Sequence, residues 1–577
     1  MMPTSSSPRE LAALPRLGIA ALGWAVLLAL GPGGLLGGEP HPAALLGVAI
    51  LTLAAGRPGP HAFWVEWMVS ALAAAVTLDW IRFVWGPALI ICGVIYGLHG
   101  ALFGLLLRRI AFARPWAIAV PIAWCAMEAV RFLVPVPLGM RWIQLGHHCI
   151  EWDALVGAAR VVGPTGLSFV LAAVAGSLVD LVTGRSGRRS AFAGVAPLGI
   201  ALLLSHQTRP PEDVPGPRVL LIQPGVAQAR KQGPKAPQEI YWQQVRLTRE
   251  GLDSLAARGE PLPDVVCWGE TMLSFPLIGA TLAEAVRMGA LGEVSLPGIA
   301  ITPDRLPQAV AVWQEYEERL VAETLLGPAG ERVLPDGCGF VCGAEVLVLH
   351  EGEVRRVNAV CAWFSDGRRA AVCPKLELVP GGETLYGLED SKGVRDFVHK
   401  VAGYLPNLLA GEETGVFDLP VQPLPSQRSW RATGTVCYDN SFLYPYCDPL
   451  ARGEEVDLHI ICSNEAWYLD SWEMDQMVCM SRMIAIATAR PIVRATNSGV
   501  SCVLDSLGHE LGRVREGGVD REVAGFIALE VPVPPRGTPV TPFCRIRAVL
   551  PWLYLLLLGA AMWGSRRSGG YQEGAWE

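Results

Sequence analysis

Three residues of this chain have the types and settings that acyl chemistry needs: a cysteine, a lysine and a glutamate. Cys437 lies in T-G-T-V-C-Y-D-N-S, Thr433 to Ser441, where an apolar approach through Val436 runs into the turn formers Tyr438, Asp439, Asn440 and Ser441. That pattern ends a strand with its last side chain at a sheet edge, beside backbone N–H groups that have no ladder partner. A cysteine held there is placed to be a nucleophile next to an oxyanion hole, although cysteine is more often a small packing residue. The rest of the chain must therefore supply a base and an electrostatic partner. D-V-V-C-W-G-E, Asp264 to Glu270, carries an apolar strand into Gly269 and then a carboxylate. A-V-C-P-K-L-E-L-V-P-G-G-E, Ala371 to Glu383, sets Lys375 on an apolar run and Glu383 just past a Gly-Gly turn.

The elements that must position these residues divide the chain into two textures. The chain has 577 residues, 51% of them hydrophobic and only 18% charged, a balance that points to membrane spans. A net charge of -7, with no basic run and no zinc-knuckle spacing, excludes nucleic acid as a partner class. The 14 cysteines are scattered without a C-x-x-C pair, so they define neither a disulfide framework nor a compartment. Apolar stretches fall near 17–36, 42–56, 63–81, 87–107, 116–134, 162–183 and 191–205, with a last one from Val549 to Trp563. They are rich in the small residues that let membrane helices pack closely, and they predict about eight spans. Arg9 and Arg16, then Arg108, Arg109 and Arg114, then Arg185, Arg188 and Arg189, then Arg566 and Arg567 all fall on one side of such an arrangement. Arg131, Arg141, Arg160, Arg545 and Arg547 fall on the other, and the balance places the N-terminus in the cytoplasm. Within the spans, Glu128 and Arg131 stand three apart near a helix end and are expected to pair and snorkel; Asp180 is the remaining intramembrane charge.

A Pro-rich linker, 207–217, leads into the polar half, 218–545, after which 546–577 returns to the membrane. Short β-like runs at Val219–Gln223, Val265–Trp268, Phe340–Leu349, Ala359–Phe364, Ala371–Leu378, Gly434–Tyr438, Leu458–Ser463, Ile492–Thr496 and Val500–Leu504 alternate with helical patterns at 237–257 and 472–489. Interleaving of this kind predicts an α/β sandwich outside the cytoplasm. Residues 276–336, with a helix-like 307–325, fit it poorly and read as an insertion or lid.

Glu, Lys and Cys in that order, each at a strand end, resemble the nitrilase (carbon–nitrogen hydrolase) superfamily. With the membrane half included, the chain resembles the apolipoprotein N-acyltransferase family. The motifs are W-G-E at 268–270, K-L-E-L-V-P-G-G-E at 375–383, C-Y-D at 437–439, S-N-E-A-W-Y at 463–468, R-P-I-V-R-A-T-N-S-G-V-S at 490–501 and G-P-T-G-L-S-F at 163–169. The sequence departs from the family at Gly269, where Pro is usual, at Gly381, where Phe is usual, and at Asp439, where Glu is usual. Lys231-Gln232 stands where the family has Lys-Trp, with Trp242 a candidate substitute for that ring.

The resemblance implies a polytopic membrane domain joined to a four-layer α-β-β-α sandwich. It implies Glu270 as general base for Cys437, Lys375 as partner of the thiolate and oxyanion, and Glu383 as the residue that orients them. Tyr438, through its backbone N–H, and Asp439 are the supporting residues. A cysteine thiol, with a pKa of about 8.5, needs such a base near neutral pH. The implied reaction passes an acyl chain from a phospholipid through a Cys437 thioester to the amine of a diacylglyceryl apolipoprotein, at the periplasmic face of the inner membrane. It needs no cofactor and no metal; His147-His148 reads as an interfacial loop. A membrane-tethered amidase or nitrilase, with water as acceptor, is the alternative.

Overall fold

The computed structural model describes residues 10–34, 38–111, 114–185, 187–228, 236–273, 276–289, 301–326, 333–365, 367–388, 391–402, 406–421 and 429–567. Lys231 and Gln232, and residues 290–300 and 327–332 of the expected 276–336 insertion, lie outside these. The chain forms two compact units, one of Met1–Arg209, Ser471–Thr488 and Pro539–Glu577, the other of Pro210–Asp470 and Ala489–Thr538.

The first unit is helical. Each apolar stretch falls on a helix, and four of these are long and apolar enough to cross a membrane: Gly86–Ile110, Trp116–Leu133, Ala159–Val182 and Arg188–Gln207. Ala13–Ala29, Pro42–Ala55, Ala62–Thr77 and Leu550–Ser565 are shorter. The G-P-T-G-L-S-F segment has a local cause. Gly163 takes φ +65 at a kink before Pro164, and a Cβ there would stand 2.2 Å from the Phe543 ring. Buried charges are spent on holding helices. Asp180 accepts the N–H groups of Trp116 and Ala117, both at 3.0 Å, and so caps the helix that begins there. Glu66 joins Arg16, at 2.8 Å, to Arg108, at 2.7 Å.

Glu128 and Arg131 do not pair as their spacing suggests; among the described residues no ion pair joins them. Glu128 instead accepts from Trp124 Nε1 at 2.9 Å, Gln144 Nε2 at 2.8 Å and Ser168 Oγ at 3.0 Å. Arg131 Nε donates to the carbonyl of Met140. Burial favours a carboxylate surrounded by fixed donors over one reaching for a single flexible cation.

The second unit is built from 13 strands among the described residues. In chain order they are β1 (Arg218–Gln223), β2 (Val265–Trp268), β3 (Leu277–Ile278), β4 (Gly339–His350), β5 (Glu353–Trp363), β6 (Arg369–Pro374), β7 (Gly415–Asp418), β8 (Arg431–Val436), β9 (Leu458–Ser463), β10 (Ile492–Thr496), β11 (Cys502–Leu504), β12 (Glu510–Arg513) and β13 (Gly525–Glu530). One sheet runs β13-β1-β2-β4-β5-β6, with β3 pairing β4; the other runs β12-β11-β10-β9-β8-β7. The pairs β1–β2, β2–β4, β8–β9 and β9–β10 are parallel.

The sheets face one another. Val219, Leu221, Val265, Cys267, Val341 and Val360 of the first share a buried cluster with Ala432, Val436, Ile460, Cys462, Val493 and Val503 of the second. Such strands are buried on both faces, so they read as continuous apolar runs without alternation. On the outer face of the first sheet, Trp268, Phe340 and Trp363 pack with Ile240, Tyr241 and Val245 of the helix Ala236–Ala257. Tyr446, on the helix Tyr444–Ala451, packs its ring on His459 of β9. β13 pairs antiparallel with β1 from far along the chain, Arg218 opposite Glu530 and Gln223 opposite Gly525.

Candidate active site

Parallel strands deliver their C-terminal ends to one edge of each sheet, where backbone groups leave the ladder and side chains are free to converge. Glu270 stands two residues beyond β2, Lys375 one beyond β6 and Cys437 one beyond β8. The apolar runs therefore end earlier than their composition suggests, with Lys375 and Tyr438 just outside the strands expected to hold them.

Glu270 is set by its backbone. Its N–H donates to the carbonyl of Ser463 at 3.2 Å, while Gly269 accepts from Gly343 N–H at 3.1 Å. A Cβ on Gly269 would lie 2.7 Å from the backbone of Thr496, and one on Gly343 would lie 2.5 Å from Glu270 Cα. Glycine at both places lets the β2 turn lie against its neighbours. That accounts physically for Gly269.

Lys375 is fully buried. Its Nζ donates to Glu383 Oε1 at 2.8 Å and lies 3.8 Å from Glu270 Oε1. The other oxygen of Glu383 accepts the Val379 N–H at 2.9 Å, so the turn through Gly381 and Gly382 returns a carboxylate to the lysine that precedes it. Burial alone would push the Lys375 ammonium down, but Glu383, Cys437 and Glu270 together raise it. The lysine is a fixed cation.

Cys437 occupies the left-handed region at φ 46, where a non-glycine residue is strained, and it opens a short 3₁₀ turn through Ser441. The strain is held by Asp439. One carboxylate oxygen of Asp439 accepts the Val436 N–H at 3.0 Å; the other accepts the N–H groups of Leu376 at 3.1 Å and Glu377 at 2.8 Å. Asp439 therefore ties the turn after the cysteine to the segment after the lysine. Burial pushes its carboxyl up to about 7, while the Val436 N–H, the Lys375 charge and the Glu377 and Leu376 N–H groups act against that. Burial, and next the Glu270 carboxylate, push the Cys437 thiol well above its ordinary value, with Lys375 acting the other way. These surroundings favour the thiol form of Cys437 over the thiolate. Tyr438 is half-buried, its ring edge-on to Phe442 at 5.2 Å.

Two features were not legible in the sequence. Asn358 of β5 donates Nδ2 to Glu270 Oε1 at 2.6 Å. Beneath the β9 end, Glu465 and Arg494 form a fully buried ion pair, and Ser463 Oγ donates to the same glutamate oxygen at 2.7 Å. Asn358 sits where β5 passes from the charged Glu353, Arg355 and Arg356 to the apolar Ala359–Trp363, and carries no spacing signal. Glu465 and Arg494 fall inside the S-N-E-A-W-Y and R-P-I-V-R segments, whose resemblance flagged them without a role. Among the described residues, no group of three or more His, Cys, Asp or Glu is gathered so as to hold a metal. His147 accepts the Gln144 N–H through Nδ1, and His148 Nδ1 lies 3.0 Å from the carbonyl of Leu145.

A family model described as the apolipoprotein N-acyltransferase N-terminal domain matches residues 16–177. The chain is 28% identical over 558 residues to an apolipoprotein N-acyltransferase of Azotobacter vinelandii, covering 90% of both proteins. It is 25% identical over 502 residues to one of Pseudomonas aeruginosa, covering 81% of this chain and 82% of that protein. Among solved structures, an amidase of the nitrilase superfamily from Nesterenkonia AN1 aligns with 56% of this chain and 93% of its own at 15% identity, with a TM-score of 0.34. The resemblance carried by the motifs thus extends along most of the chain.

Proposed function

We propose that this chain is an apolipoprotein N-acyltransferase, which moves an acyl chain from a phospholipid to the N-terminal amine of a diacylglyceryl apolipoprotein. The observation that carries the reading is the placement of Lys375. It is a buried cation, bonded to Glu383, 3.8 Å from Glu270 and within electrostatic reach of Cys437, in a chain that also holds four membrane-length helices.

In the first half-reaction the Cys437 sulfur attacks the ester carbonyl of the phospholipid as Glu270 takes the thiol proton. The oxyanion of the tetrahedral intermediate forms beside Lys375 and the N–H groups of the turn at Tyr438. The carbon–oxygen bond to the glycerol then breaks, Glu270 returns the proton to the departing alkoxide, and a lysophospholipid leaves. In the second, the apolipoprotein amine attacks the thioester, Glu270 takes a proton from the amine, and the carbon–sulfur bond breaks. The Cys437 thiolate then recovers a proton from Glu270. No metal or cofactor enters either step.

The reading includes about eight membrane spans, an inner-membrane location and a periplasmic catalytic domain over 218–545. Both substrates are lipids held in a bilayer, so a site beside the membrane meets them without extracting them. Mass spectrometry of lipoprotein N-termini from cells with and without the chain tests it. N-acylated cysteine is expected only when the chain is present. Unchanged N-termini, together with hydrolysis of a small amide by the purified protein, would instead support a carbon–nitrogen hydrolase that uses water as acceptor.

A further inference from the structure

Asn358 of β5 is only half satisfied in its bonding. Its side chain is 4% exposed, its Nδ2 donates to Glu270 Oε1 at 2.6 Å, and its Oδ1 is buried with no hydrogen-bond partner among the described residues. Its backbone carbonyl accepts the N–H of Lys375 at 2.8 Å, which fixes the residue beside the lysine in the β5–β6 ladder. A buried amide oxygen without a donor is a cost that an apolar side chain of the same size would avoid. The one side-chain bond Asn358 gains in return goes to the proposed base.

That bond has a definite polarity. An amide N–H bonds more strongly to a carboxylate oxygen than to the carbonyl oxygen of the neutral acid, so Nδ2 facing Oε1 favours the ionised glutamate. Lys375 Nζ approaches the same oxygen at 3.8 Å. The Asn358 amide and the Lys375 cation thus both face Oε1. Burial and the Glu270 charge favour the protonated form of the Cys437 thiol. A base that must be empty when the thiol is full needs a group selecting its ionised form.

We infer that Asn358 is a positioning residue for Glu270, orienting its carboxylate and holding it ionised to take the proton of Cys437. The inference rests on the reading of Glu270 as base, and deepens it. The side chain acts through Glu270 and takes no proton of its own.

The test is the pH dependence of Cys437 acylation in the full-length protein in detergent, followed with two donors: an alkyne-labelled phospholipid and p-nitrophenyl acetate. Asn358→Leu keeps the volume and removes the amide. The acidic limb of the acylation rate is expected to move up by about one pH unit, and the rate at pH 6 to fall on the order of tenfold while the plateau at high pH falls less. Asn358→Asp, an isostere that sets a negative charge beside Glu270, is expected to move the limb further in the same direction. It serves in place of Asn358→Leu should that variant fail to elute as a single folded species. A merely structural role would lower the rate equally at all pH values, and an unmoved limb in the folded variant overturns the inference. If the wild-type protein is acylated by p-nitrophenyl acetate but not by phospholipid, the acyltransferase reading fails while Asn358 is still tested by the small ester.

Discussion

Asp439 accepts the backbone N–H of Glu377 at 2.8 Å, and this bond joins the turn that begins with Cys437 to the segment that follows Lys375. Two residues 62 apart in sequence thereby share one rigid corner. The cysteine keeps its left-handed backbone because the same carboxylate also holds the Val436 N–H. The proposed nucleophile and its proposed electrostatic partner are thus tied together by a third side chain.

Asp439→Asn preserves shape but turns one acceptor oxygen into a donor that faces a backbone N–H. Leaving buried donors unmatched costs about 1–3 kcal/mol. The variant is expected to melt lower and to form acyl-enzyme more slowly across the whole pH range, without displacing either limb of the profile. A displaced limb would mean that Asp439 takes part in proton transfer.

Gly343→Ala is expected to lower acylation on the order of 100-fold and stability by about 1–3 kcal/mol, because its Cβ would press on the Cα of Glu270 and a displacement of about 1 Å at a reacting group costs that much in rate. Gly393→Ala, where a Cβ meets nothing within 4 Å, is the matched control and should behave as wild type. Equal effects from the two would show that the tight approach at Gly343 does not position the base.

The raised thiol of Cys437 predicts that the resting enzyme carries no thiolate. The difference in absorbance at 240 nm between wild type and Cys437→Ser should be flat at pH 7 and should grow only above the range of an ordinary cysteine. The sign follows from the surroundings: burial and a neighbouring carboxylate both penalise the charged sulfur. A thiolate band at neutral pH would replace general-base attack with a preformed ion pair to Lys375.

Arg494→Met leaves Glu465 as an uncompensated charge in a fully buried position. Breaking such a pair from one side costs on the order of 3–5 kcal/mol, a fall in melting temperature of roughly 6–20 °C. Differential scanning fluorimetry checks it, and an unchanged melting point would show that the pair is not a structural support of the β9–β10 edge.

Apolar runs made the helices and the central strands legible, because membrane helices and doubly buried strands both write themselves as uninterrupted hydrophobic sequence. Cys437, Lys375 and Glu270 were legible for a related reason, as each is a polar residue where such a run stops. What stayed hidden depends on neighbours far away in the chain. β13 carries no signal that it closes against β1, and Asn358 is one of several polar residues of β5 until the β2 turn brings Glu270 to it. The spacing of Glu128 and Arg131 misled because helix neighbours are only candidates for a contact, and the Gln144 and Ser168 donors reach the carboxylate first.

The most direct measurement of the central claim follows label through the two half-reactions in wild type and in Lys375→Met. Incubation with alkyne-labelled phospholipid should put a hydroxylamine-sensitive label on wild-type Cys437, and adding a diacylglyceryl peptide should move that label to the peptide amine. Lys375→Met keeps length and apolar packing but removes the cation; loss of one oxyanion partner costs on the order of 100- to 1000-fold, so little or no acyl-enzyme should accumulate. A normal, chaseable thioester in Lys375→Met, or a wild-type thioester that yields only free fatty acid in the presence of the peptide, would contradict the account.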